Sequence, residues 1–378
     1  MNFSILEDQS DRAPLPVELP DLPWGSIAGP MERLLLDICH FDAKLAASGL
    51  ADGWQSRCDM NDAVRALLLD GQLVDIGDLV LHDAAMDVRS PTHEITRAAA
   101  ALRARRTALV RPAPWPLSID GISALRGIAI GGGEMAKLSR SAPRPDEASE
   151  LYDDDDPLAA HLADIDKLLA RTDKVLAGET PIPKSRSSLI YDPEEDQAEK
   201  EDLWLDALKR MGSWPALATA AIGWDLWTSL GLYERQPWLG LIMAASILRA
   251  RGVTSRLLPL ASGYKASKYR PTGRETPAQK VEGFGAIVSE ALRQSQKDLE
   301  RLILAREAMG RATRDRRSNS KLPDFVNIFL SRPLVTVALG AKLLNVTPKA
   351  IDDMMRQLGG ALPRELTGRR RYRAWGIV

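Results

Sequence analysis

At 378 residues, 45% of them hydrophobic, the chain is long enough for two or three domains with a sizeable core. A formal net charge of −1 neither points to nor excludes a nucleic-acid partner, so the distribution of charge decides more than its sum. Two cysteines, Cys39 and Cys58, exclude a disulfide framework and fit a reducing cytoplasm, the expected location.

The first 23 residues are acidic and rich in proline and read as an N-terminal arm. They lack the basic and apolar stretches of a signal peptide. Residues 24–112 read as an N-terminal helical region. Met31, Leu34, Leu35, Ile38 and Phe41 recur at helical spacing, as do Ala63, Val64, Leu67 and Leu68. Pro91-Thr92 opens a third helix running through Arg106, and Pro112, Pro114 and Pro116 then break the chain.

Residues 113–198 read as an acidic, partly flexible linker with a helix near 157–177. Residues 146–206 hold 19 acidic and 6 basic side chains, a net of −13. The run Gly131-Gly132-Gly133 lacks the Walker spacing and its Lys-Ser/Thr, and reads as a plain loop. The four consecutive aspartates 153–156 lack the alternation of an EF-hand loop.

Residues 199–321 read as a tryptophan-rich helical core, with Trp204, Trp214, Trp224, Trp227 and Trp238 as large buried residues. The apolar run 239–248 is too short to span a membrane, and no membrane partner is expected. Phe284, Ile287, Val288, Ala291, Leu292, Leu299, Leu302, Ile303 and Met309 trace one stripe of a long amphipathic helix. From Arg293 to the end there are 18 Lys and Arg against 8 Asp and Glu, a net of +10, which leaves −11 for the first 292 residues.

Residues 322–378 read as a winged helix-turn-helix. One short helix covers 325–330 and a second 337–343, with Leu344-Asn345-Val346 as the turn. Thr347 is a good N-cap for a third helix and Pro348 suits its first position. Ile351, Met354, Met355 and Leu358 then fall on one buried face, and Gly359-Gly360 ends the helix. The opposite face shows Lys349, Asp352, Asp353 and Arg356. In a helix-turn-helix that face enters the major groove, where Lys349 and Arg356 meet phosphates or guanine edges and Asp353 is a mixed signal. Two strands around Thr367-Gly368 make a hairpin. Its Arg369, Arg370, Arg371 and Arg373 match a wing that lies along a phosphate backbone, against the alternative of a charged, solvated edge strand.

The stretches Pro333-Leu-Val-Thr336, Ala341-Lys-Leu-Leu-Asn-Val-Thr-Pro-Lys-Ala-Ile351 and Arg364-Glu-Leu-Thr-Gly-Arg-Arg-Arg371 resemble the winged helix at the C-terminus of many Fic-family proteins. Upstream, Asp62-Ala63, Leu69-Asp70-Gly71 and Asp78-Leu-Val-Leu81 are similar to the Fic N-terminal helical region. Residues 241–252 with Leu257-Leu-Pro-Leu-Ala-Ser262 are similar to the helices after the Fic signature. The signature itself, His-Pro-Phe-x-Asp/Glu-Gly-Asn-Gly-Arg, is absent. Its counterpart is Leu230-Gly-Leu-Tyr-Glu-Arg-Gln-Pro-Trp238, with Leu230 at the base position and only Glu234 able to keep a role. A leucine takes no proton and Pro237 offers no backbone donor, so the resemblance implies a body without AMP transfer. The whole chain also resembles a family of bacterial, often plasmid-borne proteins with a C-terminal helix-turn-helix and no assigned activity.

His40, His82, His93 and His161 have neither a nucleophile motif nor metal-ligand spacing around them, and no cofactor or metal is expected. The expected fold class is mainly α: a helical Fic-like body plus a winged helix-turn-helix with a short β-hairpin. The expected function is a DNA-binding transcriptional regulator, with double-stranded DNA as partner and a homodimer as the assembly. Two alternatives stay open. One is a diverged nucleotidyl transferase using Glu234 and the acidic segment to hold a metal. The other is an interaction scaffold that contacts a protein through the acidic segment.

Overall fold

The computed structural model describes residues 16–85, 90–130, 193–314, 320–367 and 373–377. The chain divides into two compact units, residues 1–136 with 196–378, and residues 137–195. The glycine run, the four aspartates, the helix expected near 157–177 and the arginines Arg369, Arg370 and Arg371 lie outside the described residues.

The first unit is built of helices. α1 (Trp24–Ser48) and α2 (Ala51–Leu67) form a helical pair joined through Gly49, whose φ of 68° closes the first helix in the left-handed conformation. α3 (Ile76–Asp83) is capped by Asp75 and α4 (His93–Val110) by Thr92, one residue after the proline that marks its start. α5 (Ile119–Ile130) packs on α4 through the buried Ile122 and Leu125, so the head of the segment read as linker is ordered helix. α6 (Pro193–Arg210) likewise begins inside the acidic segment.

α7 (Ala216–Ser229) and α8 (Trp238–Ala250) form a pair at the centre, and α9 (Leu260–Ala266) follows. The apolar run 239–248 is a core helix, buried along its whole length. Among the described residues no helix is long and apolar enough to cross a membrane. Of the five tryptophans expected in the core, Trp204, Trp227 and Trp238 are buried, while Trp214 and Trp224 are half-buried. Trp204 donates its indole N–H to the Gly223 carbonyl at 2.7 Å and meets Trp227 edge-on at 4.9 Å between ring centres.

The amphipathic stripe from Phe284 to Met309 belongs to α10 (Pro277–Thr313), a helix of 37 residues and so about 55 Å long at 1.5 Å per residue. Its start is a reciprocal cap. Thr276 accepts from the Gln279 amide at 3.3 Å, and the Gln279 side chain accepts from the Thr276 amide at 2.9 Å. α10 touches α1, α2, α7 and α9 of the body and also reaches the C-terminal helices. Those are α11 (Leu322–Ser331), α12 (Val337–Leu344) and α13 (Pro348–Leu358).

A three-stranded antiparallel sheet completes the C-terminal module, with β1 (Val335–Thr336), β2 (Arg364–Glu365) and β3 (Ala374–Gly376) in the order β1-β3-β2. Val335 pairs with Trp375 on one side, and Glu365 pairs with Trp375 on the other. The expected mainly α fold with a small wing sheet is therefore observed. The strand β1 was not expected.

Candidate nucleic-acid interface

The helix-turn-helix is fixed at each of its joints by a sequence feature. Thr336 caps α12 by accepting from the Leu339 amide at 3.1 Å. Asn345 ends that helix at φ 52°, a left-handed position that asparagine tolerates better than most residues. The Val346 amide then donates back to the Ala341 carbonyl at 3.1 Å, which tightens the turn. Thr347 caps α13 by accepting from the Ala350 amide at 3.2 Å, with Pro348 in the first turn.

α13 has two distinct faces. Ile351, Met354, Met355 and Leu358 are buried, and Ile351 meets Gly340 of α12 in a contact shared with Phe325 of α11. The three helices thus close on one small core, in which Phe325 and Phe329 stack edge-on at 4.9 Å. The outer face exposes Lys349, Asp352 and Arg356, with Asp353 half-exposed.

The cations on this surface are not equivalent. Arg356 forms an ion pair with Asp353 three residues earlier on the same helix. Arg373 donates from Nε to the Glu365 carboxylate at 2.9 Å and lies 5.0 Å over the Trp375 ring. Hydrogen bonds from Arg373 hold the Glu365 carboxyl below its ordinary range. Both arginines therefore carry a neighbouring carboxylate. Lys349 has no such partner among the described residues, nor do the exposed Lys342 and Arg364, which the sequence reading passed over. Thr347 is engaged as a cap, and its hydroxyl retains its proton for a further acceptor.

The module is anchored to the body through α2. Arg57 is buried and donates to four carbonyls: Gly53 at 2.8 Å, Leu330 at 2.9 Å, Phe329 at 2.5 Å and Arg332 at 2.6 Å. Three of these belong to the end of α11, whose last carbonyls have no helical partner. Burial pushes the Arg57 guanidinium down to about 10, which still leaves it charged at neutral pH.

Residues 230–238, taken from the sequence as the counterpart of the Fic signature, form the connection between α7 and α8. Leu230 is half-buried at its start, Glu234 is exposed, and Pro237 directly precedes α8. Among the described residues no three His, Cys, Asp or Glu side chains gather closely enough to hold a metal ion.

Residues 322–378 match the model of a family described as an HTH DNA binding domain, and residues 189–314 match the model of a family described as protein of unknown function (DUF1612). Over 383 residues the chain is 34% identical to the uncharacterized protein y4cF of Sinorhizobium fredii (strain NBRC 101917 / NGR234), covering 96% of this chain and 99% of that relative. The chain carries a C-terminal helix-turn-helix DNA-binding domain behind a DUF1612 segment, and it belongs to one family with the Sinorhizobium fredii protein.

Proposed function

We propose that the protein is a DNA-binding transcriptional regulator in which α13 enters the major groove and the β2–β3 hairpin lies along the phosphate backbone. The observation that carries this reading is the division of α13 into a buried apolar face and an exposed face led by Lys349, unpaired among the described residues. Thr347, Lys349 and Arg356 face the groove, Lys349 there meeting a phosphate, and Arg369, Arg370, Arg371 and Arg373 meet phosphates along the backbone. Arg356 and Arg373 exchange their carboxylates for phosphate contacts on binding, which weakens their net contribution.

The proposal has a wider frame. The helical body is of Fic-like descent, supported by motif order and by Leu230 and Pro237 in place of the catalytic base and a phosphate-binding donor. Two copies act together in the cytoplasm on a site of matching symmetry, as helix-turn-helix modules commonly do. The acidic segment 146–206, at −13, competes with DNA for the basic module, so deletion of its residues 146–192, ahead of α6, raises DNA affinity.

Titration of the full-length protein into duplex DNA from its own upstream region, followed by fluorescence anisotropy over a salt series, tests the central reading. Binding should weaken steeply with salt. Lys349→Gln should lower affinity on specific and mixed-sequence duplexes alike and reduce the salt slope by about 1, as loss of one phosphate contact does. Absence of binding at low salt would overturn the reading.

A further inference from the structure

A cavity of about 740 Å³ opens where the C-terminal module meets the body. Its size falls within the range of small-molecule sites, roughly 300–1,000 Å³. Apolar walls come from both sides: Val80 and Leu302 from the body, and Leu334, Leu366 and Ile377 from the module. Leu366 and Thr367 lead into the hairpin tip, so an occupant touches the residues that set the direction of the wing.

The charges around this cavity do not balance once existing contacts are counted. Asp75 accepts from the Gly77 and Asp78 amides at 2.8 and 3.2 Å as the cap of α3. Asp298 accepts from Arg301 and Gln294, both at 3.1 Å. Asp78 also has a partner of its own. On the other side, Arg57 is buried and bonded only to carbonyls, with its Nε–H unpaired and no carboxylate within ion-pair distance among the described residues. Arg65 and Lys265 line the same cavity as exposed cations, without a hydrogen bond or ion pair among the described residues. Asp298 acts on Arg57 only through space and is itself bonded to Arg301 and Gln294, so the two free cations at the rim favour a negative occupant.

We propose that this cavity is a binding site for a small organic anion, an apolar body bearing a carboxylate or phosphate group, seated between the body and the winged helix. The apolar part packs against Leu302, Leu334 and Leu366, and the anionic group lies toward Arg65 and Lys265 within the field of Arg57. An occupant that contacts both parts stabilises the arrangement in which they meet. Its effect on DNA affinity rests on the winged-helix reading above, while its binding does not.

Isothermal titration of the full-length protein without DNA, using benzoate, phenyl phosphate, inorganic phosphate and benzyl alcohol as probes, tests the site. One of the two aromatic anions should bind saturably with one site per chain, and the comparison of the two identifies the preferred group. Benzyl alcohol and inorganic phosphate should each bind about tenfold more weakly or worse, since each lacks one half of the recognition. The double variant Arg65→Gln/Lys265→Gln should lose about tenfold in affinity at an unchanged unfolding midpoint, because both side chains are exposed. Ala266→Trp, which fills the cavity from its rim, should remove binding. The proposal is overturned by no saturable binding of either aromatic anion, by equal binding of inorganic phosphate, or by anion affinities that ignore these variants. Because DNA is absent, failure here leaves the DNA titration to be judged separately, and failure of DNA binding leaves this result standing.

Discussion

Arg105 shows how a single charged side chain organises three helices. It is 1% exposed and sits on α4, facing Asp59 and Asp62 of α2, which are equally buried. It also donates to the Leu257 and Leu258 carbonyls at 3.2 and 3.4 Å, just before α9. Asp59 accepts in addition from Gln55 at 2.8 Å, and Asp62 from the Ser262 amide at 2.8 Å. Burial pushes the Asp62 carboxyl up, against the opposing pull of Arg105. Arg105→Met leaves two buried carboxylates without their cation and should destabilise the protein by about 3–5 kcal/mol, measured from the urea midpoint. The sign of its pH dependence follows. A carboxyl raised above its unfolded value stabilises most when protonated, and that stability is lost as pH rises through the raised value. The deficit of the variant should therefore narrow in acidic buffer. An equal deficit at all pH values would mean that the carboxylates do not carry the effect.

At the scale of elements, what was legible in the sequence had a local cause. Thr336, Asn345, Thr347 and Pro348 are stop and start signals that act within one turn, and α12 and α13 fall between them as expected. The i to i+3 spacing of Asp353 and Arg356 also carries their pairing, which the sequence reading did not draw. The strand β1 was not legible. Two residues carry no alternation, and Val335 finds its partner Trp375 only after the chain has passed through both helices and the hairpin. α5 was hidden because, among its described large side chains, only Ile122 and Leu125 are fully buried, too few for a helical stripe to stand out. The pairing of Arg373 with Glu365 also depends on the hairpin register, which spacing alone does not fix.

The contact between α2 and α11 is of this non-local kind as well. A Cβ on Gly53 would stand 1.9 Å from the Leu330 carbonyl oxygen, so the two helices approach more closely than any larger residue permits. Gly53→Ala therefore gains helix propensity, at most about 1 kcal/mol, and loses more by forcing α11 outward. A net destabilisation of about 1–3 kcal/mol is expected in chemical denaturation. A neutral or stabilised variant would show that α11 shifts freely on the body.

For the whole molecule, the decisive question is whether the winged helix is a passenger or part of one cooperative unit. The buried core forms one connected cluster from Leu22 through α10 to Trp375. α10 contacts α11 and α13 at one end and α1, α7 and α9 along its body portion. Arg57 adds three hydrogen bonds to the α11 terminus that no other described side chain provides. These contacts predict a single thermal transition, with Trp375 in the module and Trp204 in the body reporting the same midpoint when each is left as the reporting tryptophan. Arg57→Leu should break that coincidence. It strands three carbonyls at roughly 1–3 kcal/mol apiece where water does not reach them, and the loss falls on the joint rather than on either core. The module signal should then move to lower temperature ahead of the body signal. Coincident midpoints in Arg57→Leu would show that apolar packing along α10 alone couples the winged helix to the body.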